Sequence, residues 1–438
     1  MKIYFLKTLI LVFTFALYAG AENTSFEGLY GDFDIKSVSA SPVPVAVASE
    51  VESSDEIPEW LVMVFMNARN DLYASAMKDV NEMETVGSTS KVAVTVELGL
   101  LQDKGNSTRF FIEKDNDISR IKSTNVKVMN SDMGSYKHFV NFAKWSIKRH
   151  PAKHYMVILW SHGSGRVDIG GADNSGAELG IAYDDLTRNF IRNKQIAMAL
   201  REIGKYAGQK VDVYSSDACL MQMLSVAYEI KDHADYLVQS EETISDFGFP
   251  YTAILNSLNA SASVSALEAS QIIADEFNTF YKANKPGTTM SVINSAKFGK
   301  FNGLLNSWIR QVVVKNRVEV LEAVKETLSF EHGYDGVDTT YNARSKDLYD
   351  FIENVNRKID RKSELYRAGK DLQKYINGSL VVYNKTTNNR MDYSRAKGLA
   401  VYFPQKRIAS DYDVMLVSRD TLWDDFIKWI IDESYEIR

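Results

Sequence analysis

Apolar residues in this chain follow two patterns that take turns along its length. From Trp60, WLVMVFMNA is apolar almost without a break, as expected of a strand covered on both faces. NDLYASAMKDVNEMETVG follows, with Leu72, Ala76, Val80 and Met83 at spacings of three and four and Gly87 as a stop, which predicts a helix. KVAVTVEL reads as a second strand, and TRFFIEKD and the shorter NVKVMN as a third and fourth. GSYKHFVNFAKWSIKRH places Phe139, Phe142, Ala143 and Ile147 on one helical face. HYMVILWSHG, VDVYSSDAC and ADYLVQSEE continue the strands, and LMQMLSVAYEIKDH reads as a helix beginning directly after Cys219. Buried strands alternating with amphipathic helices predict an α/β layered fold with a largely parallel central sheet.

Beyond Pro250 the pattern is mostly helical to about Leu328, interrupted by TTMSVIN as a strand. A helix around KDLYDFIENVNRKI, the strands GSLVVYNK and KGLAVYFP, and a final amphipathic helix TLWDDFIKWIIDES complete the chain. The expected organisation is an α/β core over residues 58–250 and a mixed helical and strand region over 251–438. That second region is either a separate domain or an extension of the same sheet.

The N-terminus differs in texture. Lys2 and Lys7 precede an apolar run over residues 8–18, and Ala19-Gly20-Ala21 supplies an A-x-A cleavage site. Residues 1–21 therefore read as a secretory signal peptide, the other reading being an uncleaved anchor. Residues 22–57, rich in Ser, Val, Ala, Pro and Glu without amphipathic period, read as a flexible spacer or pro-segment. No later segment reaches the roughly 18 consecutive apolar residues of a spanning helix. An exported protein is expected, placed in the periplasm, at the cell surface or outside the cell.

Composition narrows the picture further. The chain is 45% hydrophobic and 25% charged, which is ordinary for a globular protein. Its net charge of −6 argues against nucleic acid or an anionic membrane as a general partner. A single cysteine, Cys219, cannot form an internal disulfide, and in an exported chain it is either a reactive group, half of an intermolecular bond or a small buried hydrophobe.

Ligand sites in open parallel sheets lie beyond the carboxyl ends of the strands. Two such ends carry reactive residue types: His162 in VILWSHGSG and Cys219 in VYSSDAC. A thiol at the expected helix start feels the positive end of the helix dipole, which favours thiolate. A neighbouring histidine supplies the proton transfers of acyl transfer, and the amides of Gly163 and Cys219 are candidate donors to an oxyanion. Of the other five histidines, His138, His150 and His154 read as surface residues, His233 as a helix end, and His332 follows a helical region. Ser161 and Ser164 are weaker nucleophile candidates because no G-x-S-x-G elbow is present. H-E-x-x-H, C-x-x-C, a P-loop and a strand-linked G-x-G-x-x-G are also missing from the sequence.

HYMVILWSHGSG and VDVYSSDACLMQMLSVAYEI resemble the two catalytic segments of the clostripain family of cysteine peptidases. VMVFMNARNDLYASAMKDVNEMETVGS, YLVQSEETISDFGFPY, KDLYDF and KGLAVYFP extend the resemblance over most of the chain from Trp60. It implies a caspase–gingipain–legumain type of fold, with Cys219 as nucleophile, His162 as general acid/base, and the Gly163 and Cys219 amides as the oxyanion hole. It also implies protein or peptide substrates cut after Arg or Lys, with Asp217, and more weakly Asp246, lining an acidic specificity pocket. Asp217 has a structural alternative, a cap on the helix expected near Cys219. Family members are often activated by self-cleavage between the two segments, where Arg166 is the basic residue nearest the histidine. Arg188, Arg192 and Lys194 fall near or within a helix expected from about Leu186. No cofactor is required by this reading, and calcium is an option through Asp168, Asp173, Glu178, Asp184 and Asp185. The competing functional class is a catalytically silent relative acting as a secreted or surface binding protein.

Overall fold

The run from Trp60 becomes β1 (Trp60–Ala68), buried along its whole length. Its side chains alternate between two cores: Leu61, Met63 and Phe65 on one face, Trp60, Val62, Val64 and Met66 on the other. A strand covered on both sides needs apolar residues at every position, which is why it shows no polar alternation. The computed structural model describes residues 57–165, 180–261, 263–284, 287–314, 316–330, 345–388, 391–404, 408, 412–432 and 434–437.

The other strands are β2 (Val92–Leu100), β3 (Ser107–Phe111), β4 (Asn125–Val128), β5 (His154–Trp160), β6 (Gly180–Asp184), β7 (Asn189–Arg192) and β8 (Val211–Asp217). They continue with β9 (Ala234–Gln239), β10 (Thr288–Asn294), β11 (Ser345–Asp347), β12 (Val381–Thr387) and β13 (Ala400–Tyr402). Among the described residues one sheet of nine strands has the order β12-β10-β9-β8-β5-β1-β2-β3-β4. The five strands from β9 to β2 are parallel. β10 and β12 add antiparallel strands on one side, and β3 and β4 do so on the other. Strands from beyond residue 251 thus pair into the same sheet as the first strands of the chain.

Helices cover both faces. α1 (Tyr73–Val86) lies on the face built from Trp60, Val62 and Val64; α2 (Tyr136–Arg149), α3 (Asn193–Ala207) and α4 (Leu224–Ile230) lie on the opposite one. α5 (Tyr251–Ala260) and α6 (Ala266–Asn284) join α1. α7 (Phe298–Val312), α8 (Arg317–Glu326), α9 (Leu348–Lys358), α10 (Glu364–Tyr375), α11 (Leu416–Asp420) and α12 (Trp423–Ile431) pack on the α2 side. The result is the caspase-like three-layer α/β architecture. Among the described residues no helix is long and apolar enough to cross a membrane.

Two local expectations change. Residues around Leu186 form not the start of a helix but the turn of the β6–β7 hairpin, and α3 begins only at Asn193. Arg188 accordingly sits in that turn and Arg192 ends β7, while Lys194 lies in α3. Asp184 fixes the turn: its carboxylate accepts from the amides of Leu186, Thr187 and Met133 and from the guanidinium of Arg69 at 3.0 Å. Both partners of that ion pair are fully buried. Likewise α4 starts at Leu224 rather than directly after Cys219. The intervening backbone is used in long-range pairing, Leu220 N donating to Glu242 O, Gln222 N to Ser240 O, and Ala400 N to Gln222 O.

Replacing Arg69 by Leu leaves the Asp184 carboxylate buried without its cation. This change is expected to destabilise the fold by about 3–5 kcal/mol, read as a lower denaturation midpoint. A loss below about 1 kcal/mol would show that the pair is not needed to hold the hairpin.

Candidate active site

Register decides what meets at the sheet's carboxyl edge. β5 and β8 are neighbours, and Trp160 pairs opposite Asp217. His162 and Cys219 each lie two positions beyond those partners, so the two loops emerge side by side. Contact between them is close. A side chain on Gly163 would begin 2.7 Å from the Cys219 carbonyl oxygen and 2.9 Å from Ala218 Cβ, so only glycine lets the strands' loops approach this far. The amides of Gly163 and Cys219 donate to no backbone carbonyl among the described residues.

The imidazole of His162 is oriented by a residue not identified from the sequence. Its Nε2 lies 2.6 Å from Asp71 Oδ1. Asp71 follows the carboxyl end of β1, the strand on the other side of β5. Asp71 lies in NARNDL, just past a doubly buried strand, the same kind of address that marks His162 and Cys219. Nδ1 makes no hydrogen bond among the described residues. Asp71 is largely exposed, so the pair is open to screening by salt.

Cys219 is half-buried, and its Sγ accepts from Ile244 N at 3.3 Å. Burial pushes the thiol up to about 11, with the carboxylates of Glu242 and Asp217 adding to the effect. The thiolate expected from a helix N-terminus is therefore not favoured, because α4 begins five residues later. Asp217 ends β8 and is buried. It does not cap α4, whose first turn is preceded by Met223. Its Oδ2 accepts from Phe249 N at 3.0 Å and from the Tyr251 hydroxyl at 3.1 Å, while Oδ1 carries no hydrogen bond among the described residues. Burial raises this carboxyl to about 7. Asp246 is exposed in the same connection as Ile244, and its carboxylate accepts from Ser245 Oγ at 3.2 Å.

The remaining candidates separate from this edge. Asp184 is consumed by the hairpin and Asp185 is exposed. Among the described residues no group of His, Cys, Asp and Glu is placed to hold a metal ion. Arg166, Asp168, Asp173, Glu178 and His332, like the N-terminal segments 1–21 and 22–56, lie outside the described residues. His138, His150 and His154 are not free surface residues: they bond Glu97, stack on Phe111 at 4.2 Å and bond Asp212, respectively. His233 follows α4 and is partly buried. Ser161 bonds the Asn67 carbonyl, and Ser164 that of Gly180.

A cysteine and a histidine at adjoining strand ends of a caspase-like sheet are the parts a cysteine peptidase uses. The chain belongs to the clostripain family, whose family model matches residues 64–429. It is 24% identical to clostripain of Hathewaya histolytica over 225 residues, 45% of this chain and 42% of that protein, so the match spans less than half the length of that relative. A secreted C11 cysteine protease from Bacteroides thetaiotaomicron, solved with an irreversible peptide inhibitor, superposes with a TM-score of 0.62. Its identity is 19%, over 85% of this chain and 99% of that one. An inactive zymogen C11 protease from Parabacteroides distasonis superposes with a TM-score of 0.61 at 20% identity, covering 83% of this chain and 98% of that one. At these identities the two structures establish the shared fold.

With the thiol at about 11, labelling of Cys219 by iodoacetamide is expected to be slow at pH 7. It should accelerate about tenfold per pH unit toward pH 10, in step with the thiolate fraction. A rate already at its plateau at pH 7 would mean that the resting sulfur is ionised.

Proposed function

We propose that the protein is an exported endopeptidase that cuts peptide bonds after Arg or Lys, with Cys219 as nucleophile and His162 as general acid/base. With Nε2–H given to Asp71, Nδ1 is the basic nitrogen of His162. It takes the thiol proton as Sγ bonds to the scissile carbonyl carbon, and Asp71 stabilises the imidazolium that results. The amides of Gly163 and Cys219 receive the oxyanion. As the C–N bond breaks, His162 returns the proton to the leaving amine and a thioester remains. Water then attacks that carbon, giving a proton to His162, and the C–S bond breaks to release the acid and restore the thiol.

The observation that carries the specificity is the unbonded Oδ1 of buried Asp217, two residues before the nucleophile. A guanidinium or ammonium supplies the counter-charge this carboxylate lacks. It also removes one of the negative charges that hold the Cys219 thiol up, so a basic substrate favours ionisation of the nucleophile. Asp246 belongs to this reading as an outer acidic wall. Self-cleavage after Arg166 belongs to it as well: the raised thiol suits a precursor, and the Parabacteroides distasonis relative is an inactive zymogen. Export rests on the signal-like residues 1–21 and on the relatives described as secreted.

Cys219→Ala is expected to abolish cleavage of peptide amides ending in arginine while leaving the melting temperature in place. Turnover by that variant would exclude Cys219. Asp217→Asn should lower kcat/KM on arginine amides roughly 100-fold or more, and far less on amides ending in a neutral residue. Equal losses on both would remove the pocket assignment. Intact mass of wild type beside Cys219→Ala should show an internal cut after Arg166 in wild type alone; an uncut wild type with full activity would exclude self-processing.

A further inference from the structure

Below Asp217 lies a second carboxylate that the cysteine–histidine chemistry does not use. Asp79 sits on α1 with no exposed surface. Its Oδ2 accepts from the Trp160 indole N–H at 2.8 Å, and Trp160 is the residue paired opposite Asp217. Its Oδ1 is buried with no hydrogen-bond partner among the described residues. A carboxylate is rarely left this way, because each unsatisfied buried oxygen forfeits its hydration without replacement.

The two carboxylates converge on one point of backbone. A side chain on Gly248 would begin 3.0 Å from Asp79 Oδ2 and 3.1 Å from Asp217 Oδ2. Gly248 has φ +61°, and Tyr281 Oη donates to its carbonyl at 2.9 Å, so this close approach of the backbone to both carboxylates is fixed by the loop. Around the pair stand Glu82 and Lys78 from α1, Tyr251 from α5 and, beyond Asp217, Cys219 and Glu242. Lys78 is the cation nearest in sequence, and it is engaged with Glu82 at 3.1 Å and lies over the Phe247 ring. Burial pushes Asp79 well up, and the Asp217 charge adds to this. The site thus holds two carboxyl groups that cannot both ionise cheaply until a cation arrives.

We propose that Asp79 is a second specificity-determining residue, forming with Asp217 a two-carboxylate seat that selects arginine over lysine at the residue preceding the cut. The inference rests on the proposed cleavage after basic residues. A guanidinium presents five N–H donors in a planar fork, enough for the unpartnered Oδ1 of both Asp217 and Asp79. A lysine ammonium is a point charge that satisfies one acceptor set at a time, so the second carboxylate adds more to arginine than to lysine. Binding of the cation expels the proton that the free pair retains.

The test compares matched peptide amides ending in arginine, lysine or glutamine, with wild type and Asp79→Asn. Wild type is expected to prefer arginine over lysine by about tenfold or more. In Asp79→Asn the arginine-to-lysine ratio should fall toward unity, with the loss on KM rather than kcat. A folded Asp79→Asn with an unchanged arginine-to-lysine ratio overturns the proposal while leaving cleavage after basic residues intact. If wild type itself shows no preference for basic residues, both readings fall. A measurement without an Asp79 variant guards against misfolding: titration of benzamidine into Cys219→Ala, in buffers of differing ionisation enthalpy. Proton release on binding near pH 7 is expected, and binding without proton release overturns the proposal.

Discussion

Parallel pairing of β5 with β8, with Trp160 set opposite Asp217, is the constraint on which the rest of this molecule depends. It brings the loops carrying His162 and Cys219 out of the sheet at one level. A shift of one residue would point every side chain of a strand to the opposite core. Such a slip is resisted because both faces of these strands are buried under helices. β1, paired to the other edge of β5, adds Asp71 at the same level. Three adjacent strands therefore deliver Asp71, His162 and Cys219 to one edge, without any of these residues being near another in sequence.

Around this edge the protein tolerates an unusual load of buried acid. Asp217 and Asp79 are held up by burial on the face shared with α1 and α5. On the neighbouring loop, Glu241 and Asp347 form a second buried carboxyl pair, with Asp347 raised to about 6. Backbone amides bond them as well, Gly398 N donating to Glu241, and Lys397 N and Asp350 N to Asp347. This pair ties the β11–β13 region to the end of β9, so a segment far along the chain supports the loop beside Cys219. By contrast the Arg69–Asp184 pair is a buried carboxylate with its cation in place. The contrast separates a buried acid neutralised by a cation from buried acids held up without one. That distinction rests on partners, since burial alone is common to all of them.

The same field acts on Cys219, whose thiol is pushed up by desolvation and by the carboxylates of Glu242 and Asp217. In the proposed reading, a cationic side chain seated at Asp217 offsets part of that field, so recognition and ionisation of the sulfur would be coupled.

The sequence by itself determined the elements with long, strongly patterned runs: β1, β5 and β8 as doubly buried strands, α1 and α2 as amphipathic helices. It also determined the addresses of His162 and Cys219, because a reactive residue just past a buried strand is readable without knowing the strand's neighbours. Only the tertiary structure decided the rest. The β6–β7 hairpin is short, and its turn exists because Arg69, more than a hundred residues away, meets Asp184. The stretch after Cys219 has helical spacing but is drawn into long-range backbone pairing with residues 240, 242 and 400. Asp79 reads in the sequence as one more polar position between Ala76 and Val80; its burial against Trp160 and Gly248 is a property of the packed sheet. Local pattern records which side chains avoid water. Which charges face one another once water has gone depends on strand order and register, and these are set by contacts far apart in the chain.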